Sequence, residues 1–284
     1  MRPRNGAGRV RTVLARPAVW LSLLLLVGLL LAALCAPWLT PYAAEGAGLP
    51  NMASKLLAPS LDHPLGTDEM GRDLLARLLF GARTSLLLAA LVIGSSLAVG
   101  VVVGLAAGAS GGWVDETAMR TTDIFLAFPP LLLVILLVAV LGGGFTSAVL
   151  ALALAWWPFY AVLVRGQVVS VRGQPFIEAA RATGVPPARI ARRHLLPNAL
   201  APLLVQATID VGAVILVASG LSFIGLGPPP PTADWGLMIA SGRQFVLSGS
   251  WWVAGFPGLA ILATALAFAV LGDALRAALT GHSS

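Results

Sequence analysis

The chain has 284 residues, of which 58% are hydrophobic and 11% charged, with 18 Lys+Arg against 12 Asp+Glu. Soluble domains carry about 25% charged residues, so the composition excludes a soluble globular protein and places the chain in a membrane. The basic residues are spread along the sequence as loop charges, which argues against a nucleic-acid-binding surface. The single cysteine, Cys35, excludes an intrachain disulfide framework and a Cys-cluster metal site.

Six apolar segments approach the ~20 residues needed to cross a bilayer, at about 18–39, 84–108, 120–142, 145–165, 199–226 and 252–274. They predict an all-α integral membrane protein with six transmembrane helices. With the N-terminus inside, only Lys55, Arg72, Arg77, Arg83 and Arg243 of the Lys+Arg set fall outside. That asymmetry satisfies the positive-inside rule and places both termini in the cytoplasm. Trp20, Trp38, Trp113, Trp251 and Trp252 fall near segment ends, where amphipathic rings favour the headgroup region. The first segment follows a basic stretch but is long for a signal peptide and has no small-x-small site before Pro37, so a retained anchor is predicted.

A polar outer stretch follows, ending HPLGTDEMGRDLLARLLFGARTSL over 63–86. Leu74, Leu75, Leu78 and Leu79 recur at helical spacing with Arg72, Asp73 and Arg77 opposite, the pattern of an amphipathic helix lying on the outer leaflet. In the second span Gly100, Gly104 and Gly108 leave one helix face without side chains, which suits close helix–helix packing. Gly108–Gly112 matches G-x-S-x-G, but a nucleophile elbow needs a strand before its serine, and this serine follows a membrane span; the match is chance. Pro129 and Pro130 in the third span and Pro158 in the fourth predict kinks or local opening.

The fifth span carries Asp210 beside Gln206 and Thr208. An ionisable group at depth must face protein or water, so it serves either a translocation path or an inter-helix hydrogen bond. The stretch LSFIGLGPPPPTADWG (221–236) predicts a rigid outer loop, because four consecutive prolines hold an extended conformation.

Between the fourth and fifth spans lies a polar hairpin, 175–198. Pro175 suits a first helical position and Gly184 the left-handed residue after the last turn, so 175–183 reads as a short capped helix. Glu178 and Arg181 are spaced for an intrahelical pair. Pro186-Pro187 opens a second helix, expected to end before Pro197, whose Arg189, Arg192 and Arg193 form a basic face. Such a hairpin could be merely a basic inner loop, a binder of anionic lipid, or a docking element for a motor domain. Ala179 and Ala180 favour docking, since small side chains fit a groove.

EAARATGVPPARIARRHLLPN (178–198) resembles the EAA coupling loop of binding-protein-dependent ABC importer permeases, with Glu178, Ala179, Ala180, Gly184, Ile190, His194, Pro197 and Asn198 at the family's spacing. HPLGTD, GRD and GAR-SL, the DIFLAFPPLLL run (123–133), the SFIGLG loop and the terminal GDALR (272–276) resemble the C-type subunits of the oligopeptide/dipeptide/nickel family. The resemblance implies a type I importer fold. It divides the chain into an N-terminal part (1–82), a transport domain (83–276) and a short tail (277–284). It also implies a second homologous permease, two ATPase subunits and an extracytoplasmic substrate-binding protein around a path on which Asp210 would lie. Ala218, Ala269, Ala277 and Thr280 depart from the family pattern and weaken any inference about substrate, which could be peptide, nickel or another small solute.

No glycine-rich loop ending in Lys-Ser/Thr is present and Lys55 is the sole lysine, so ATP and magnesium would bind the partner subunits and this chain would carry no catalytic residue. The three histidines stand at no metal spacing. An ion-gradient-driven secondary transporter is the alternative, but it would need internal repeats and ion ligands at mid-membrane.

Overall fold

The computed structural model describes residues 16–280, and these are helical apart from turns and one isolated antiparallel bridge, Thr67 to Asp73. The basic residues at positions 2–11 and the last four residues of the tail lie outside the described residues. In chain order the principal helices are α1 (Pro17–Leu34), α2 (Leu74–Ser110), α3 (Gly112–Leu126), α4 (Pro130–Leu141), α5 (Gly144–Arg172), α6 (Pro175–Ala182), α7 (Pro187–Phe223), α8 (Trp235–Gly242) and α9 (Trp252–Thr280). Among the described residues five helices are long and apolar enough to cross a membrane, or six if the bent pair α3–α4 counts as one span.

That pair shows the kink expected at Pro129 and Pro130, and the kink is large enough to split the third span into two helices. α3 and α4 meet at 86°. Proline disfavours the helical conformation in the residue before it and supplies no N–H for the preceding turn. Pro129 is therefore extended, and Pro130 starts a new helix. The 12 residues of α4 rise only about 18 Å, well short of the ~30 Å hydrocarbon core. Pro158, by contrast, sits inside an uninterrupted α5.

The 63–86 stretch also differs from a helix lying on the leaflet. Asp73 caps α2, accepting from the Ala76 N–H at 2.8 Å, so the second span begins ten residues before the apolar run. Its 37 residues rise about 55 Å, far more than a bilayer core. Arg72, Asp73 and Arg77 are buried, at 8%, 1% and 2% exposure. The segment 45–73 folds back over the polar face of the first turns of α2. There the Glu45 carboxylate accepts from the Asp73 N–H at 2.7 Å, and Asp68 accepts from the Arg72 N–H at 2.9 Å and its Nε at 2.7 Å. The segment is amphipathic as its pattern predicts, but protein instead of water meets its polar side.

The small-residue face of α2 packs on α5. A Cβ placed at Gly100 or Gly104 would overlap Tyr160 or the Ala161 carbonyl oxygen, and one at Gly108 would press on Val168. Two backbones in direct contact give the dispersion contacts that hold helices together where lipid supplies no hydrophobic drive. Gly104→Leu should force α2 off α5 and largely eliminate the monodisperse folded species on size-exclusion chromatography. Gly94→Leu, at a position with open space around it, should leave that species intact.

The main core gathers Leu88 and Val92 of α2, Val134 and Val138 of α4, Leu152 of α5, Ile215 and Leu221 of α7, Trp235 of α8 and Val253 of α9. A second cluster under the hairpin joins Tyr160, Val164 and Val168 of α5 to Ile177, Ile190, Leu195, Ala199 and Leu203. Val19 of α1 packs on Ala274 of α9, so the first and last helices meet at their chain-terminal ends.

Candidate functional site

The hairpin follows from punctuation in the sequence. Pro175 occupies the first turn of α6. Gly184 stands at φ +77°, where the lack of a Cβ removes the steric penalty of left-handed backbone. The Gly184 N–H donates to the Arg181 carbonyl and the Val185 N–H to the Ala180 carbonyl, both at 3.0 Å, the two bonds of a Schellman motif. The helix therefore ends where the sequence predicts, within one residue.

The second half differs from expectation, for α7 does not end before Pro197. Residues Ala191–Leu195 form one π-helical turn, and the Leu196 N–H reaches back to the Ala191 carbonyl. The wider turn accommodates Pro197, which has no N–H to donate and whose ring would clash in a regular helix interior. The hairpin is thus continuous with the fifth span. A displacement of its tip would be carried by a single 37-residue rod.

The family-motif residues divide by exposure. Glu178, Ala179, Gly184, Pro197 and Asn198 are exposed, Ala180 and His194 are partly buried, and Ile190 is buried at 3%. Ile190 and Ile177 anchor the hairpin to the bundle. Phe176 packs edge-on against the His194 ring at 5.9 Å, and Asn198 Nδ2 donates to the His194 carbonyl at 2.6 Å. The expected Glu178–Arg181 ion pair does not form, and among the described residues the exposed Glu178 carboxylate beside Ala179 has no partner. Arg189, Arg192 and Arg193 are exposed on one face.

Above the hairpin, Arg165 of α5 grips Asp115 of α3 with Nε and NH2 at 2.6 and 2.7 Å, and Arg172 NH1 donates to the Gly108 carbonyl at 3.1 Å. These contacts tie the leg that leads into α6 to the end of α2 and the start of α3. Asp115 and Arg165 lie 50 residues apart, and no local signal links them.

Asp210 lies near the middle of the α7 span at 8% exposure. Its Oδ2 accepts from the Tyr160 hydroxyl at 2.8 Å, and its Oδ1 from Gln206 Nε2 at 2.9 Å. The inter-helix hydrogen bond that the sequence offered as one alternative is therefore present. The same residue also lines a cavity of about 540 Å³ with Pro130, Trp156, Phe159, Leu163 and Gln206. Thr208 turns elsewhere, its hydroxyl donating to the Leu204 carbonyl.

At the end opposite the hairpin, sequence reasoning missed the residues that organise the surface. Arg77 places NH1 2.8 Å from the Pro231 carbonyl and 3.3 Å from that of Gly46, and NH2 3.0 Å from that of Thr232. The proline loop is not extended as expected: it turns within the prolines, the Thr232 N–H donating to the Pro229 carbonyl at 3.2 Å where Arg77 gathers the Pro231 and Thr232 carbonyls. Trp235 and Gly236 then open α8, capped by Asp234 accepting from the Leu237 N–H at 2.9 Å. Burial pushes the Asp234 carboxyl above the usual carboxylate range. The Trp235 indole donates to the Leu78 carbonyl at 3.1 Å and that of Trp252 to the Thr67 carbonyl at 3.2 Å. Trp252 is thus a core residue, not a headgroup anchor.

Comparison with known proteins places this architecture. Residues 100–281 match the family described as the binding-protein-dependent transport system inner membrane component. The dipeptide transport system permease protein DppC of Alkalihalophilus pseudofirmus is 42% identical over 91% of this chain and 84% of its own length. The nickel transport system permease protein NikC of Escherichia coli K12 is 40% identical over 94% of this chain and 95% of its own. Among solved structures, inward facing conformations of the MetNI methionine ABC transporter superpose with a TM-score of 0.56 at 22% identity, covering 71% of this chain and 96% of that one, a likeness of fold alone. The family match, the span of the relatives and the helical bundle agree: the chain belongs to the binding-protein-dependent transport system inner membrane components, the permease subunits of ABC importers.

Proposed function

We propose that this chain is one of two transmembrane permease subunits of an ATP-driven importer for di- and oligopeptides. The observation that carries the reading is the exposed, Schellman-capped hairpin continuous with α7, in a chain 42% identical to a dipeptide permease. The hairpin would lie in the cytoplasm and seat in a cleft of an ATPase subunit, with Glu178, Ala179 and Gly184 on the contact surface. Closure of two ATPase subunits would push it as a rigid body. The rod of α7 and the Arg165–Asp115 tie would pass that movement to the path, swinging the bundle between inward- and outward-open states.

In this reading both termini are cytoplasmic, the spans number six with α3–α4 as one broken crossing, and the Arg77 end faces the substrate-binding protein. The chain performs no covalent chemistry, and ATP with magnesium binds the partner subunits. The protein is multi-pass in a prokaryotic cytoplasmic membrane. The nickel relative, at 40% identity, supports nickel as a second substrate reading.

Affinity purification of the tagged chain from native membranes in mild detergent tests the assembly. A second permease and two P-loop ATPases should accompany it, and the binding protein that joins them identifies the solute. Recovery of the chain alone would contradict the proposal.

A further inference from the structure

Asp210 lies 14 residues into the regular helix that starts at Leu196 and 13 residues before its end at Phe223, about 20 Å from either end at 1.5 Å per residue. A carboxylate at that depth is expensive unless a positive charge or a strong donor set meets it. Here it meets two neutral donors, the Tyr160 hydroxyl and the Gln206 amide, one on each oxygen. A carboxylate offers about four acceptor positions, so half its capacity is unused. No Arg or Lys reaches it among the described residues. The cation nearest to Tyr160 along α5, Arg165, is held by Asp115.

The cavity beside it, about 540 Å³, is within the range of small-ligand sites. Its lining includes Trp156 and Phe159, aromatic residues of the kind that attract cations through their π faces. The donor set does not suit a metal, since the described residues contain no group of three His, Cys, Asp or Glu able to hold one. A single carboxylate with spare acceptor sites between aromatic walls is matched by a monovalent cation that carries N–H donors.

We propose that this cavity is a transient binding site for the primary ammonium group of the transported solute, with Asp210 as its counter-charge and Trp156 and Phe159 as its walls. The inference rests on the importer reading and adds to it the charge class of the solute at mid-path. Tyr160 and Gln206 hold the carboxylate while the site is empty, and the ammonium takes up the remaining acceptor positions.

The test uses the assembled complex in nanodiscs without binding protein, and measures equilibrium binding of labelled dialanine against N-acetyl-dialanine, in which a neutral amide replaces the ammonium. Wild type should bind dialanine at least tenfold more tightly than the acetylated probe. Asp210→Asn should erase that difference and Asp210→Glu should retain part of it. Failure of the wild type to bind dialanine or to discriminate, or full discrimination by Asp210→Asn, would overturn the assignment. ATP-driven uptake by the same complex with its binding protein is read separately. Its absence, with discrimination intact, would remove the importer reading and leave the ammonium site standing.

Discussion

Glu178→Lys and Gly184→Val should each yield a chain that inserts and folds but no longer retains ATPase subunits through purification. The two substitutions act by different physics. Glu178 is exposed and makes no ion pair within its own helix, so its reversal costs the isolated chain little but turns an attraction across the docking surface into repulsion, a penalty of several kcal/mol when the charges are desolvated. Gly184 has open space around it, so a side chain there meets no neighbour. The strain comes from φ +77°, which costs a non-glycine residue about 1–2 kcal/mol and a β-branched one more. Loss of the Schellman bonds would unwind the end of α6 and move Glu178 and Ala179 from their places. Gly184→Asn, which tolerates left-handed backbone, should retain coupling. The readout is the stoichiometry of ATPase to permease, with monodispersity of the chain as the control. ATPase retained at the wild-type ratio by both variants would remove the docking role of the hairpin.

Arg77→Met should give the largest loss of stability of any single substitution at the opposite end. The guanidinium is 2% exposed and bridges the segment at Gly46 to the proline loop at Pro231 and Thr232. Methionine would fill much of the volume but take the donor from three carbonyls, that of buried Gly46 and the more accessible ones of Pro231 and Thr232, at up to about 1–3 kcal/mol each. A total on the order of 3 kcal/mol or more corresponds to a fall in unfolding midpoint of about 10 °C for a chain of this size. Arg77→Lys should fall between, because one ammonium on a flexible stem cannot satisfy carbonyls spread across both arms of the fork. A thermal melt of the purified chain decides the matter. A midpoint for Arg77→Met within a degree or two of wild type would mean that the platform is held by its other contacts, chiefly Glu45, Asp68 and the two indoles.

The two ends of the molecule differ in how much the sequence disclosed. The spans were legible because continuous apolar composition is a local property, and the hairpin was legible because Pro175, Gly184 and Pro187 act on the backbone within a few residues of themselves. Pro197 misled for the same reason. Its local effect is to stop a helix, but one π turn before it lets the helix continue into the span. The platform was hidden because an amphipathic face looks the same in sequence whether water or a folded segment covers it. Arg77 finds two of its acceptors 154 and 155 residues away, and Trp252 finds Thr67 across 185. Tyr160 gave no signal, since one tyrosine in an apolar helix is unremarkable until Asp210 is placed opposite it. The pair Pro129-Pro130 announced a kink, but its size depends on the packing of α4 against α5.

In the proposed function the path would run past the bent pair α3–α4, the glycine-sealed contact between α2 and α5, and the carboxylate cavity where α4, α5 and α7 meet. These are the elements expected to rearrange if the hairpin drives transport, and they lie on one connected set of helices. The Arg165–Asp115 tie links the hairpin leg directly to the bent pair.

The most direct measurement is uptake of labelled dipeptide into vesicles that carry the purified complex with its binding protein outside, with ATP inside or absent, and with or without ionophores that collapse the proton and sodium gradients. Uptake that requires internal ATP and the binding protein and persists with both gradients collapsed is the predicted result. Uptake that ignores ATP and stops when a gradient is collapsed would contradict the account and make the chain an ion-coupled transporter.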